Sequence, residues 1–249
     1  MRSLILAAAL ALPATLAAQQ MVPPPPPSPS PQQVQLDKLQ ARFNDFAQLA
    51  RYAADNAAIG DPAPGTQRVV FYGDSLTDNW GRKFGKFFPG KPYVNRGISG
   101  QTTPQMLVRF RQDVIDLHPA AVIILAGTND IAGNTGPSTL EMIEDNLTSM
   151  AELAHANGIH VILASVLPAA DYPWRKGLEP APKIKALNQW IADYCAQKKF
   201  AYLDYYTAMA GPDGGMKPGI SIDGVHPNAA GYAIMEPLAE KAIEKTLHK

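Results

Sequence analysis

Residues 69–75 read VVFYGDS, and residues 121–130 read AVIILAGTND. In both stretches an uninterrupted apolar run ends at a glycine or just before one, and polar residues follow directly. A strand that is apolar at every position is covered on both faces, which is typical of a parallel sheet between two layers of helices. Further strands are predicted at residues 93–95, 159–167 and 200–205. The sequence therefore predicts five strands of a largely buried sheet.

Helical segments separate these strands. Apolar residues at helical spacing predict helices over residues 104–117, 182–198 and 228–248. A further helix is predicted to begin at Ser138, where the pattern S-x-x-E reaches Glu141 as in a capping box, and to end at an Asn-Gly pair. This alternation predicts an α/β fold, namely a three-layer α/β/α sandwich around a parallel five-stranded sheet with right-handed connections.

The N-terminal end has a different composition. Residues 1–18 combine a positively charged Arg2, an apolar stretch over residues 4–12 and small residues before Gln19, which is typical of a cleavable export signal. The apolar stretch is shorter than the ~20 residues that a membrane span needs. Residues 19–33 are rich in proline and predict a semi-rigid linker. We therefore expect a secreted or periplasmic protein without stable membrane insertion after signal cleavage, with an uncleaved anchor as the alternative.

Residues 34–60 are predicted to form an N-terminal helix. Apolar side chains recur there at alternating spacings of three and four residues, at Leu36, Leu39, Phe43, Phe46, Ala50, Ala53 and Ala57. This stripe favours docking of the helix on the main domain, and a homodimer formed through the same helix is the alternative. A segment rich in glycine and proline then separates the helix from the main domain, predicted over residues 66–249.

Composition excludes several classes of protein. Lys+Arg and Asp+Glu both number 22, and no basic cluster is denser than Lys198 and Lys199, so nucleic-acid binding is not expected. The single cysteine, Cys195, excludes an intrachain disulfide and a cysteine-based metal site, and is interpreted as a buried apolar residue. No H-x-x-x-H pair exists, so no zinc site is expected from the four histidines interpreted as surface residues: His118, His155, His160 and His248.

Four polar segments follow the predicted strands. They read GDSLT at residues 73–77, GISG at residues 97–100, GTND at residues 127–130 and DGVH at residues 223–226. Sites in parallel sheets form beyond the carboxyl ends of the strands, so we expect these segments to lie at one edge of the sheet. Together they supply a serine, backbone N–H donors, a side-chain amide and an Asp–His pair. These are the components of an acyl-transfer site.

In order and content the four segments resemble the blocks of the SGNH (GDSL) hydrolase family, which centre on Ser, Gly, Asn and His. The resemblance covers nearly all of the main domain and implies a flavodoxin-like fold, ester hydrolysis and no cofactor or metal. It implies that Ser75 is the nucleophile, His226 the general base and Asp223 the group that orients the histidine ring. It also implies an oxyanion hole formed by the backbone N–H groups of Ser75 and Gly100 and the Asn129 amide.

Other polar and aromatic residues near these segments have more than one interpretation. Asp74 and Asp130 are expected to hydrogen-bond the backbone of their loops rather than substrate. Tyr172 and Trp174, in the loop after the fourth strand, either bind substrate or pack the loop, and Trp174 could stack on a sugar ring.

The sequence and the resemblance together predict a secreted serine esterase. Its expected substrate is a short-chain, acetyl-type ester of a small molecule or a carbohydrate. Two alternatives remain at this point: an acylhydrolase of the lysophospholipase or lipase type, and a non-catalytic ligand-binding protein on the same fold.

Overall fold

The computed structural model describes residues 28–248, which divide into two compact units at a boundary after Ala41. Helix α1 (Pro31–Asn44) begins in the first unit and has no buried residue. The predicted signal at residues 1–18 and most of the predicted linker at residues 19–33 lie outside the described residues. Within residues 28–248, no helix has the length and apolar character needed to cross a membrane.

A parallel five-stranded sheet forms the centre of the second unit. Its strands are β1 (Val69–Gly73), β2 (Tyr93–Gly97), β3 (Ala121–Leu125), β4 (His160–Ala164) and β5 (Ala201–Leu203). They lie in the order β2-β1-β3-β4-β5. This confirms the predicted α/β fold with a parallel five-stranded sheet. The chain runs outward to β2 and then returns past β1, so the strand order reverses between β1 and β3, where sheets of this kind bind ligands.

Helices cover both faces of the sheet. They are α2 (Ala53–Ile59), α3 (Ser75–Asp78), α4 (Thr103–Asp113), α5 (Thr128–Ile131), α6 (Leu140–Ala156), α7 (Ala181–Lys198), α8 (Tyr206–Met209) and α9 (Ala229–Leu247). Alternate side chains of each strand enter two separate apolar clusters. Val70 and Tyr72 pack with residues of α4, α6 and α7, whereas Val69 and Phe71 pack with residues of α9. The core therefore consists of two layers, one on each side of the sheet.

Two helix beginnings differ from the prediction. Helix α6 is capped by Thr139 rather than Ser138, because the Thr139 hydroxyl accepts a hydrogen bond from the backbone N–H of Met142. Helix α4 carries a capping box that the sequence analysis missed, formed by Thr102 and Gln105. In both cases the residue that ends the preceding extended segment becomes the cap, and a capping pattern alone does not locate that residue.

The prediction of one continuous helix over residues 34–60 is wrong. A 3-10 turn at Leu49–Arg51 separates α1 from α2, and Gln48 before it adopts the left-handed conformation with a φ of 55°. The Asp45 carboxylate accepts hydrogen bonds from the backbone N–H groups of the first two residues of the turn, at 2.7 and 3.1 Å. An aspartate that bonds nearby backbone competes with helix formation, and this local competition overrides the apolar periodicity.

The expectations for the cysteine and the remaining histidines are confirmed. Cys195 is buried in α7. His118, His155, His160 and His248 are all exposed. The sequence analysis missed the partner of His118, whose Nδ1 lies 2.7 Å from the Asp61 carboxylate.

Candidate active site

The four polar segments meet at the carboxyl edge of the sheet. They surround a cleft of about 530 Å³. Its lining residues are Ser75, Asn79, Lys83, Phe84, Ser99, Gly100, Asn129, Asn134, Trp174, Ile222, Asp223 and His226. A larger cavity of about 930 Å³ lies at the opposite edge, beside the segments that precede β1 and β2. The described residues that line the larger cavity include neither serine nor cysteine, so the smaller cleft is the candidate active site.

Ser75 is presented by a tight turn from β1 into α3. Gly73 closes the strand, and a Cβ atom there would lie 2.2 Å from the Thr77 Oγ1 atom, so only glycine fits. The Asp74 carboxylate caps α3 by accepting a hydrogen bond from the backbone N–H of Leu76 at 2.9 Å. The Ser75 side chain therefore lies at the first position of the helix, just beyond the carboxyl end of β1.

A chain of two hydrogen bonds runs from the serine to an aspartate. The Ser75 Oγ atom lies 2.9 Å from His226 Nε2, and His226 Nδ1 lies 2.7 Å from Asp223 Oδ2. A carboxylate oxygen only accepts hydrogen bonds, so the Nδ1 atom carries the ring proton and donates a hydrogen bond to Asp223. The Nε2 atom is then free to accept the hydroxyl hydrogen of Ser75.

The turn from Asp223 to His226 is rigid. The Asp223 Oδ1 atom accepts hydrogen bonds from the backbone N–H groups of Val225 at 3.0 Å and His226 at 2.8 Å, and Gly224 provides the positive φ of 86° that the turn requires. Burial by itself raises the pKa of the Asp223 carboxyl. The hydrogen bonds from His226 and Val225 outweigh burial, so the pKa lies below its usual value. Asp223 is therefore ionised at neutral pH and available as an acceptor.

The Asn129 amide is held on three sides. Its Nδ2 atom donates to Asp74 Oδ2 at 2.9 Å and to the Gln101 carbonyl at 3.0 Å, and its Oδ1 atom accepts from Asn134 Nδ2 at 2.7 Å. Both amide hydrogens thus have protein acceptors. Asn129 could donate to a substrate oxygen only by sharing one of these hydrogens between two acceptors.

The Asp74 carboxylate bonds the backbone of its own loop, as the sequence predicted, whereas the Asp130 carboxylate bonds Thr103 of α4 instead of its own loop. Asp74 is fully buried between Leu76 and Asn129, and burial raises the pKa of its carboxyl to about 7. Asp130 accepts hydrogen bonds from the backbone N–H and the hydroxyl of Thr103, and burial raises its pKa as well. Asp74 therefore links the nucleophile turn to the Asn129 amide.

The loop that carries Gly100 is supported by the segment at residues 45–59, which we call the strap. The Tyr52 hydroxyl donates to the Gly97 carbonyl at 2.5 Å, and Gln101 Nε2 donates to the Ala47 carbonyl at 2.8 Å. The strap therefore docks on the main domain, but not through the predicted apolar stripe, because Phe46, Ala50, Ala53 and Ala57 are all exposed. Tyr52 was not predicted as a docking residue, because it lies off that stripe.

A buried arginine connects the ends of β1 and β2 to the same loop. Arg109 of α4 is fully buried and donates to the carbonyls of Gly73 and Arg96, both at 2.9 Å. It also donates to the Gln101 side chain at 2.5 Å and to the Asp113 carboxylate at 3.0 Å. The Asp113 carboxylate balances the charge of Arg109, and its guanidinium N–H groups donate to protein acceptors, as a buried cation requires. The sequence analysis missed this residue, because an arginine on a helix is usually exposed.

Only one of the two predicted aromatic residues reaches the cleft. Trp174 is 43% exposed, its ring centroid lies 5.8 Å from that of His226, and its Nε1 atom donates to Asn134 Oδ1 at 3.2 Å. Tyr172 is fully buried and stacks behind Trp174 with a centroid distance of 5.1 Å. Asn134, which the sequence analysis missed, thus joins Trp174 to Asn129.

The fold and the cleft define an α/β protein with a Ser–His–Asp cluster at the strand-order reversal, and comparison with known proteins specifies its family. Residues 71–234 match the model of the GDSL-like Lipase/Acylhydrolase family. The chain belongs to this family of esterases and acylhydrolases. A solved GDSL-like lipase from Bacteroides thetaiotaomicron is 50% identical to it, with a TM-score of 0.78, over 80% of this chain and 98% of the other.

Two curated relatives match shorter stretches. Esterase TesA from Pseudomonas aeruginosa is 31% identical over 137 residues, which are 55% of this chain and 62% of TesA. The uncharacterized lipoprotein YqeF from Bacillus subtilis is 35% identical over 81 residues, which are 31% of this chain and 33% of YqeF. The chain therefore spans less than two thirds of the length of either curated relative.

Proposed function

We propose that the protein is an exported serine esterase that hydrolyses short-chain, acetyl-type carboxylic esters through an acyl-enzyme on Ser75. The observation that carries this proposal is the hydrogen-bond chain from Ser75 through His226 to Asp223, at 2.9 and 2.7 Å. A serine alone is a weak nucleophile, and an adjacent base with an orienting carboxylate activates it. Membership of an esterase and acylhydrolase family supports the same chemistry.

The reaction begins when Ser75 Oγ attacks the ester carbonyl carbon and His226 Nε2 takes the hydroxyl proton. Ionised Asp223 stabilises the imidazolium that forms. As the tetrahedral intermediate collapses, His226 gives the proton to the departing alcohol and the acyl group stays on Ser75. Water then attacks the acyl carbon while His226 Nε2 takes its proton. When this second intermediate collapses, His226 returns the proton to Ser75 Oγ and the carboxylic acid leaves.

The negative oxygen of the intermediate is assigned to the backbone N–H groups of Ser75 and Gly100 and to the Asn129 amide. All three residues line the cleft. Within residues 28–248, neither of the two backbone N–H groups has a protein acceptor among the hydrogen bonds found. Donors that are fixed before the reaction stabilise the charge without reorganising, and this is the usual source of a large part of the rate enhancement.

The residues that line the cleft bear on the choice of substrate. Its volume of about 530 Å³ is large enough for an acetylated sugar or for a longer acyl chain. The exposed ring of Trp174 offers a face for a sugar ring, which supports a carbohydrate ester as substrate. Phe84 and Ile222 line the same cleft, and Ile222 is 55% exposed, which favours a longer acyl chain as the second candidate substrate.

The proposals on export and assembly rest on other parts of the chain. Export rests on the composition of residues 1–18. A homodimer through the N-terminal helix is supported by the exposed side chains of Leu36, Leu39 and Phe43 in α1. Measuring the molecular mass in solution, with and without substitutions of these three residues, tests the homodimer.

The esterase proposal is tested with p-nitrophenyl esters from acetate to palmitate. We expect the highest kcat/KM with acetate and a rate near background for Ser75→Ala. Ser149→Ala, a substitution at a half-buried position of α6 that does not line the cleft, serves as the control and should retain full activity. A preference for palmitate would favour a lipase-type acylhydrolase. Hydrolysis by folded Ser75→Ala would overturn the role of Ser75, and no hydrolysis by the wild type would favour a ligand-binding protein.

A further inference from the structure

Asn79 lies in the cleft one helical turn after the nucleophile. It directly follows α3 (Ser75–Asp78), and its backbone N–H donates to the Ser75 carbonyl at 3.0 Å. Residues four apart on a helix share a face, so the side chains of Ser75 and Asn79 project in the same direction. Asn79 is only 5% exposed, yet it lines the cleft together with Ser75 and His226.

The hydrogen bonding of the Asn79 side chain is incomplete within the described part of the chain. Its Oδ1 atom is buried without a hydrogen-bond partner among residues 28–248. The backbone of Asn79 is held independently, because its carbonyl accepts from the backbone N–H groups of Lys83 at 2.9 Å and Phe84 at 3.2 Å. Leaving a buried polar group unpaired destabilises the folded state. Such groups are rare in native proteins and call for an explanation.

A second asparagine nearby shows that this turn is able to satisfy an amide. Asn95 of β2 donates through Nδ2 to the carbonyls of Thr77 at 2.7 Å and Trp80 at 3.2 Å. Its Oδ1 atom accepts from the backbone N–H of Gly97 at 2.9 Å. Asn95 is therefore a structural residue, whereas Asn79 lines the cleft and its Oδ1 atom has no hydrogen-bond partner in the described part of the chain.

We propose that Asn79 binds the alcohol part of the substrate and selects esters of polyhydroxy alcohols. The inference rests on the proposed esterase function. An acetyl group has one polar atom, its carbonyl oxygen, and the donors assigned to the oxyanion occupy that atom. A hydrogen bond to Asn79 must therefore come from the alcohol, and a hydroxyl next to the ester oxygen both donates and accepts.

The carboxamide has the freedom that this role requires. The terminal torsion of asparagine is broad, so a rotation presents either Oδ1 or Nδ2 to the cleft without moving the backbone. Trp174 lines the same cleft with an exposed ring, which offers an apolar face to a sugar ring while Asn79 bonds a hydroxyl. The alcohol part of a simple alkyl ester carries no hydroxyl, so it provides no donor for the Oδ1 atom of Asn79.

The test compares two acetate esters of similar ring size, a monoacetylated methyl xyloside and cyclohexyl acetate. We expect Asn79→Leu to lower kcat/KM for the xyloside ester about tenfold, the effect of losing one hydrogen bond of about 1.4 kcal/mol. The value for cyclohexyl acetate should change less than about threefold. Asn79→Ala is the second variant if Asn79→Leu does not fold. Asn95→Leu is the control, and we expect it to lower the Tm without changing the ratio of the two kcat/KM values.

Each outcome has one meaning. A loss confined to the xyloside ester supports the assignment of Asn79. Equal losses on both esters overturn it and leave the esterase function intact, as does a wild type that shows no preference for the xyloside ester. If the wild type hydrolyses neither these esters nor p-nitrophenyl acetate, the proposed function fails and the assignment of Asn79 fails with it.

Discussion

Replacing Asp74 by asparagine tests the electrostatics of the nucleophile turn. Asp74 is fully buried, and burial raises the pKa of its carboxyl from 3.8 to about 7. In the unfolded chain the carboxyl is exposed to water and titrates near 3.8. The difference is about three pKa units, and each unit corresponds to about 1.36 kcal/mol, so ionised Asp74 costs the folded state about 4 kcal/mol.

The sign of the pH dependence follows from which state keeps the proton. Below about pH 3.8 both states are protonated, and Asp74 makes no difference. Between about pH 3.8 and 7 the unfolded chain loses the proton while the folded chain retains it, so the free energy of unfolding falls as the pH rises. Above about pH 7 both states are ionised and the cost stays constant. Asparagine cannot ionise, so Asp74→Asn removes this dependence.

Urea denaturation of both proteins across this pH range provides the measurement. We expect the stability of Asp74→Asn relative to the wild type to rise by about 3 kcal/mol between about pH 4.5 and 7.5. Ser149→Ala, a change in α6 that removes no carboxylate, is the control, and its difference from the wild type should be flat with pH. A flat difference for Asp74→Asn, or one that falls as the pH rises, would refute the reasoning.

Other predictions concern the oxyanion donors, the strap and the cysteine. Asn129→Ala should lower kcat by about 10²–10³ with little change in KM, and steady-state kinetics showing mainly a KM effect would contradict its role. Tyr52→Phe leaves the Gly97 carbonyl without its donor and should cost about 1–3 kcal/mol in denaturation experiments, with a lower kcat; unchanged stability would argue against the contact. Burial raises the pKa of the Cys195 thiol to about 12, so a disulfide reagent at about pH 8 should label it only after unfolding, and rapid labelling of the native protein would contradict this.

Local sequence patterns predicted the fold and the centre of the site. The strands were predictable because β1 and β3 are apolar throughout. Such a continuous apolar run is typical of a strand of a parallel sheet that is covered on both faces. Asp223 and His226 were predictable as a pair because they stand three positions apart in the sequence, so one turn sets their geometry. Strand ends were predicted less accurately, since β4 and β5 are shorter than their apolar runs.

Contacts between distant residues were beyond the reach of the sequence. Tyr52 and Gly97 lie 45 residues apart, and no local pattern indicates that they meet. Tyr172 and Trp174 stand two residues apart in an irregular loop, which gives no periodicity to show which of them is buried. Asn79 follows the nucleophile in the sequence, but only the packing around it shows that its amide has no partner.

The strap ends before residue 71, where the match to the family begins. Part of the support for the loop that carries Gly100 therefore comes from outside the stretch that the family shares, in addition to the support from Arg109 within it. A hydrolase with the same four polar segments but a different N-terminal extension must support that loop with other residues. The extension is thus a region in which evolution can adjust turnover while every side chain of the cleft stays the same.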